Sequence, residues 1–260
     1  MSDHSIADKA CQAMQAMFRP KAGQSIETYF SENLIQHDPH MRDGLAGLKE
    51  FVEEIAQSGH GDVTIYRTVV DGNLVAIHSK CDGFKDFSAP MIAFDIFRFD
   101  GGKIGEHWRG REPEAPPNPS GRTQVDGSTA ISERDRTEEN RAIVRHYRKT
   151  VMVDLQFDRI EEFIANNNYM QHASKTGDGI ARLKDRIAGV VKEGGQLYLT
   201  PRMFVAEGNF VLVLTEGDLP EGPTALYDLF RLQDRMIVEH WDVLTPTPPR
   251  VQWRNANSPF

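Results

Sequence analysis

Two short stretches of this 260-residue chain gather the residue types that move protons. Asp95 is followed by Glu106-His107-Trp108 and then Arg109, and Asp228 is followed by Glu239-His240-Trp241 and then Asp242. A carboxylate and an imidazole held near each other serve as general base and general acid, once burial or a neighbouring charge tunes them. Further histidines stand at His78 and, each directly after a glutamine, at His37 and His172. Structural roles compete for every one of these positions. His37 and His172 could hydrogen-bond a loop backbone. Asp95 and Asp228 could be core-edge carboxylates paired with an arginine, and Asp242 an ordinary carboxylate at a strand end. His107 and His240 suit a cavity wall or an interface equally. The glutamates and tryptophans beside them suit a structural signature or an interface between copies. His37, His78 and Asp95 are of metal-ligating types, but their spacing defines no coordination geometry, and no metal is expected. The two cysteines are too few for a disulfide framework or a multi-cysteine zinc site, and Cys81 reads as a buried apolar residue rather than a nucleophile.

The similarity of the two stretches extends along the chain. Phe94-Asp95-Ile96-Phe97-Arg98-Phe99 returns 133 residues later as Tyr227-Asp228-Leu229-Phe230-Arg231-Leu232. Gln36-His37 returns after 135 residues as Gln171-His172, Gly44 after 135 as Gly179, and the turn Asp71-Gly72-Asn73 after 136 as Glu207-Gly208-Asn209. Landmarks in one order at nearly one offset imply a tandem duplication of a unit of roughly 120 residues. Between the copies, Glu114-Ala115-Pro116-Pro117-Asn118-Pro119 cannot hold a helix or a central strand, because proline fixes φ and lacks a donor. The expected organisation is a first domain over 1–112, a Pro-rich linker over 113–132, a second domain over 133–246 and a tail over 247–260. The tail repeats the proline signal and is expected to pack as an extended arm or hang free.

Each copy reads as helices followed by strands. In the second copy, Thr137 is expected to cap a helix carrying Ile143, Val144, Tyr147 and Val151 at helical spacing. Phe157, Ile160, Phe163 and Ile164 mark a second short helix, and Ile180, Leu183 and Ile187 a third. The first copy matches with Ile6, Ala10, Met14 and Met17, then Ile26, Tyr29 and Phe30, then Leu45, Leu48, Val52 and Ile55. The expected strands are Val63–Val70, Leu74–Lys80, Met91–Phe99 and Lys103–Arg109, and later Leu197–Ala206, Phe210–Leu214, Ala225–Leu232 and Met236–Leu244. Gly-containing turns punctuate them as hairpins. Helices first and antiparallel strands after is an α+β pattern. Along the last strand neither parity is purely polar, so both sheet faces are expected to be covered, one by helices and the other by the second copy. That gives a pseudo-dimer of face-to-face sheets.

Composition narrows the partners. Lysine and arginine number 30 against 38 acidic residues, a net charge of −8 with a pI near 5.6. That balance argues against nucleic acid and anionic membrane surfaces, which require a basic footprint. No apolar run reaches membrane-spanning length, and the first ten residues lack a basic region followed by an apolar stretch. A cytoplasmic chain is expected.

The order of helices and sheet, the Gln-His pairs and the final Glu-His-Trp strand together resemble the SnoaL-like polyketide cyclase family. The signature region reads Leu34-Ile35-Gln36-His37-Asp38-Pro39 in copy 1 and Tyr169-Met170-Gln171-His172-Ala173-Ser174 in copy 2. That family lies in the nuclear-transport-factor-2-like superfamily of cone-shaped domains, with ketosteroid isomerase. The resemblance implies acid–base chemistry in an apolar cone without metal or organic cofactor, acting on a small hydrophobic or carbonyl-containing molecule. By position, it implies Asp242 as acid/base, with Asp228 and His172 completing the catalytic set. A desolvated aspartate takes a proton α to a carbonyl, and a neighbouring donor steadies the enolate. Copy 1 departs from the pattern, because Arg109 stands where copy 2 has Asp242 and cannot be a base. Its His37, His78, Asp95, Arg109 and His107, together with His240 of copy 2, are expected to contact a ligand. A cyclase, isomerase or lyase is the leading expectation. A non-catalytic binding protein for hydrophobic ligands and an interaction domain are the alternatives, and further homo-oligomerisation is compatible with each.

Overall fold

The computed structural model describes residues 3–19, 25–58, 61–83, 89–165, 168–192, 198–219 and 222–260. The chain divides into two units, residues 1–114 together with 247–260, and residues 115–246.

In the first unit, helix α1 (Asp3–Phe18) is followed by one 3-10 turn (Ile26–Thr28), strand β1 (Phe30–Gln36) and helix α2 (Gly44–Ser58). Strands β2 (Asp62–Asp71), β3 (Leu74–Asp82), β4 (Met91–Asp100) and β5 (Lys103–Pro113) complete it. The sheet order is β1-β5-β4-β3-β2, with β1 parallel to β5 and the other neighbours antiparallel. Ala10, Ala13, Met14 and Met17 recur at helical spacing on the buried face of α1 and pack with Val75, Ile77, Phe97 and Phe99 of the sheet. Because strand side chains alternate between faces, residues of one parity in β3 and β4 meet the helices and the other parity turns away. The turn Gly72-Asn73 closes β2 onto β3, and Gly72 takes the positive φ (+60°) that such a two-residue loop demands.

The second unit repeats this plan. Helix α3 (Thr137–Tyr147) runs directly into a π-helical turn (Arg148–Val153), then a 3-10 turn (Phe157–Glu162), strand β6 (Met170–Gln171) and helix α4 (Ile180–Lys192). Strands β7 (Tyr198–Glu207), β8 (Phe210–Leu219), β9 (Gly222–Gln233) and β10 (Met236–Pro246) follow. The sheet order is β6-β10-β9-β8-β7, the counterpart of the first sheet strand for strand. No described helix is long and apolar enough to cross a membrane.

The architecture is the expected one, two tandem α+β domains, and several local expectations are corrected. The expected second helix of each copy is a 3-10 helix, a single turn at Ile26–Thr28 in copy 1 and six residues at Phe157–Glu162 in copy 2. In copy 1, Phe30, Leu34 and Gln36 go on to form buried positions of a strand, so Gln36 ends a strand rather than following a helix. Thr137 is the first residue of α3 and not its cap. Its hydroxyl accepts from Gly208 N–H (2.8 Å) and donates to Arg134 O (2.9 Å), tying the helix start to the β7–β8 turn. Of the strand expected from Leu197, the described part is Tyr198–Glu207, and Leu197 itself lies outside the described residues. The Pro-rich segment is not a free spacer, since residues from Ala115 onward belong to the second unit. Asn118 Nδ2 donates to the backbone carbonyls of Gln171 (2.6 Å), Ala173 (3.3 Å) and Thr176 (2.9 Å). The tail takes the first of its two expected states and packs rather than hanging free. Asn255 Nδ2 donates to Asp38 O (2.8 Å) and Met41 O (2.9 Å) of the first unit.

Candidate functional site

Alternation along β10 decides what meets the helices. Glu239 and Trp241 turn to one face, and His240 and Asp242 turn to the other, where Phe230 and the helices lie. The register sets Asp242 opposite Asp228 of β9. Asp228, His240 and Asp242 thereby bring a ligand-type atom each to within 4.8 Å of one another. His240 Nε2 faces Asp228 Oδ1 at 3.0 Å, and the ring stacks on Phe230 with centroids 4.7 Å apart. From the π-helical turn, Arg148 places Nη1 3.3 Å from Asp228 Oδ2, while its Nη2 donates to Thr215 Oγ1 (3.0 Å). A π turn shifts the side-chain register of a helix, a device often found at functional sites. Asp228 and His240 are buried, and Asp242 is half-buried.

Burial alone would push the Asp228 carboxyl up, but Arg148 and His240 more than offset this and hold it below its ordinary value. Asp228 is therefore a fixed anion, unsuited to the role of protonated donor. Burial drives the Tyr169 hydroxyl well up, reinforced by Tyr147, Asp242 and Asp228 nearby. A cation finds two carboxylates and an imidazole here, yet the Arg148 guanidinium already supplies positive charge at Asp228. A cavity of about 690 Å3 in this unit lies elsewhere, lined by Arg122, Asn168, Asp178, Arg231, Asp234 and Met236 among others, and does not include the Asp228–His240–Asp242 cluster.

His172 is not part of this cluster. It faces the opposite side of the sheet, where Nε2 meets Glu239 Oε1 (2.9 Å), Nδ1 meets Thr123 O (3.0 Å), and the ring stacks on Trp241 at 4.7 Å. Glu239 is held below its ordinary value because His172 and Arg231 outweigh its burial. The strap over 120–128 covers this pair. Gly127 lies so close that a Cβ there would stand 2.8 Å from His172 Nε2. Its ring is held by loop and sheet partners, with Asp126 Oδ1 also 2.6 Å from Nδ1, and the alternation between Gln171, which ends β6, and His172 is the signal that separates them.

In the first unit, Asp95, His107 and Arg109 come together while His37 and His78 do not. Arg109 Nη1 donates to both carboxylate oxygens of Asp95 (2.8 and 2.9 Å), and His107 Nε2 meets Asp95 Oδ1 at 2.8 Å. Asp95 and His107 are fully buried and Arg109 is 4% exposed, with its guanidinium over the Phe18 ring at 4.6 Å. Burial raises Asp95, but Arg109 and His107 overcome it and hold the carboxyl low. Burial alone would lower Arg109, but the charge of Asp95 raises it. His37 stacks on Trp108 at 4.2 Å, with Nδ1 2.6 Å from Ser258 O and Nε2 3.2 Å from Glu106. His78 points to the other face of β3, stacked on Phe94 at 4.4 Å, with Nδ1 3.0 Å from Arg67 Nη1. Sequence reasoning had no signal for Arg148, whose helical position the tertiary packing alone selects. Gln171 and Tyr169 stood in the quoted signature without a role.

Fold and site define a class, a pair of tandem α+β domains, each burying a His-Asp couple under its helices. The sequence profile of the SnoaL-like domain matches residues 12–107. The match lies within the first unit, and the second unit repeats that unit's elements in the same order. Similar solved structures include a candidate polyketide cyclase from Bacillus cereus ATCC 10987 (20% identity, 42% of this chain and 74% of that one, TM-score 0.37). A candidate ketosteroid isomerase from Kribbella flavida DSM 17836 matches at 20% identity over 44% and 87%, TM-score 0.37. A protein from Catenulispora acidiphila DSM 44928 with a ketosteroid isomerase-like fold, in complex with trimethylamine, matches at 16% identity over 39% and 83%, TM-score 0.34. No protein of curated function matches the sequence.

Proposed function

We propose that the second unit is an acid–base enzyme of the cyclase, isomerase or lyase type, acting on a small carbonyl compound. The observation that carries this reading is the convergence of Asp228, His240 and Asp242, with only Asp242 half-exposed. Asp242 takes the proton α to the carbonyl. His240, fixed by Asp228 through Nε2 and by Gln171 through Nδ1, lies beside Asp242 and stabilises the developing negative charge electrostatically. The SnoaL-like match of the first unit, whose elements the second repeats in order, supports the substrate class. The first unit fits a non-catalytic role, since Asp95 is neutralised by Arg109 and sealed from solvent.

The test is α-proton exchange in D2O, followed by proton NMR over a panel of β-dicarbonyl and cyclic enone compounds. The unaltered chain should accelerate exchange of at least one compound, and Asp242→Asn should lower that rate by about 10²-fold or more. Unchanged exchange in the variant would remove Asp242 as the base.

A further inference from the structure

The two units treat their buried histidine differently, and the difference can be traced bond by bond. In each unit one glutamine oxygen is identified by a backbone donor that can only meet an acceptor. Asp38 N–H donates to Gln36 Oε1 (3.0 Å), and Ala173 N–H donates to Gln171 Oε1 (3.0 Å). In the first unit the remaining amide nitrogen, Gln36 Nε2, points at His107 Nδ1 (3.0 Å). An amide NH2 only donates, so His107 Nδ1 is the acceptor and its single proton sits on Nε2, directed at Asp95. In the second unit the amide nitrogen is drawn elsewhere, because Gln171 Nε2 donates to the Tyr169 hydroxyl oxygen (3.1 Å). It is then the oxygen, Gln171 Oε1, that meets His240 Nδ1, at 2.9 Å. A carbonyl oxygen only accepts, so His240 Nδ1 carries a proton. Nε2 faces the Asp228 carboxylate, another acceptor.

We propose that Tyr169 is a positioning residue that turns Gln171 so that His240 holds a proton on both ring nitrogens, making it a buried cation beside Asp228 and Asp242. The first unit has Leu34 at the matching position and no hydroxyl to draw the amide aside. The local charges agree with this assignment. The first unit pairs one anion, Asp95, with one cation, Arg109, around a neutral His107. The second gathers two anions, Asp228 and Asp242, and balances them with Arg148 and a cationic His240. Among the described residues, the charged and titratable groups about His240 are Asp228 of β9, Asp242 of β10, Arg148 of the π turn, and the hydroxyls of Tyr147 and Tyr169.

The inference rests on the proposed function only for the use to which that charge is put, and its test reads the proton directly. In the full chain with 15N-labelled histidine, two-bond 15N–1H spectra at pH 7 should show both His240 nitrogens protonated and His107 protonated at Nε2 alone. Tyr169→Phe, which removes only the hydroxyl, should free Gln171 Nε2 to donate to His240 Nδ1 as Gln36 does, and the Nδ1 proton should disappear. Tyr169→Leu, the first unit's residue, should do the same. A His240 ring neutral at pH 7 in the unaltered chain, or a spectrum unmoved in Tyr169→Phe, overturns the proposal. Exchange activity lost in Asp242→Asn with His240 neutral would defeat this inference and leave the proposed function standing. The reverse pattern would do the opposite.

Discussion

At the scale of single residues, one substitution between the copies reorganises the whole charge arrangement. Where the first unit has Arg109 on its last strand, the second has Asp242, and the cation arrives from a helix as Arg148. Asp95, Asp228 and Glu239 are all held below their ordinary carboxylate values, against burial, by adjacent cations and histidines. A carboxyl depressed in the folded state stabilises the fold at pH above its unfolded value, near 4, and loses that contribution as pH falls through its folded value. The contribution of these carboxyls is therefore expected to be level through neutrality and to fall only below about pH 4. Arg109→Met strips Asp95 of its main counter-charge and should cost about 3–5 kcal/mol at pH 7. It should also move the acid transition to higher pH. Circular dichroism melts across the pH range measure both. The Asp–His pairs were legible in the sequence because they recur at a fixed offset. The role of His172 was not, because adjacent residues in extended backbone face opposite sides, and the Gln-His pair was expected to follow a helix where its glutamine instead ends a strand.

At the scale of elements, the strands were legible because β-branched and aromatic runs ended in Gly-containing turns. The short segment carrying Ile26, Tyr29 and Phe30 was misread as a helix because its apolar spacing also fits a 3-10 turn that leads into a strand. The π turn at Arg148 was beyond reach, since nothing local distinguishes it from the α-helix that precedes it. The strap over the second unit shows how a segment read as a linker becomes part of a site's scaffold. Its Gly127 has φ +91° and admits no side chain against Glu239 and His172. Gly127→Ala combines a left-handed backbone with a steric clash and should cost about 1–3 kcal/mol, as urea unfolding would report. A loss below a few tenths of a kcal/mol would mean that the strap can lift without consequence.

At the scale of the whole molecule, the duplication extends further than the repeated domain. The segment that follows β5 belongs to the second unit, and the segment that follows β10 belongs to the first. Both use an asparagine for one task. Asn118 holds the carbonyls of Ala173 and Thr176, and Asn255 holds those of Asp38 and Met41, which stand 135 residues earlier in each case. The loop carbonyl that meets the histidine after the glutamine is matched as well, Thr123 O for His172 and Ser258 O for His37, again 135 apart. Each strap is thus an integral piece of the unit it covers. Removing the amide leaves buried carbonyls without their donor, at a cost of about 1–3 kcal/mol. That cost should fall on one unit at a time. Asn255→Ala should speed hydrogen exchange across 30–41 and leave 169–176 unchanged, and Asn118→Ala should do the reverse, both read by peptide-resolved mass spectrometry. Exchange that quickens equally at both loops in either variant would show that the straps do not act unit by unit, and that the repeated asparagines share a position without sharing a role.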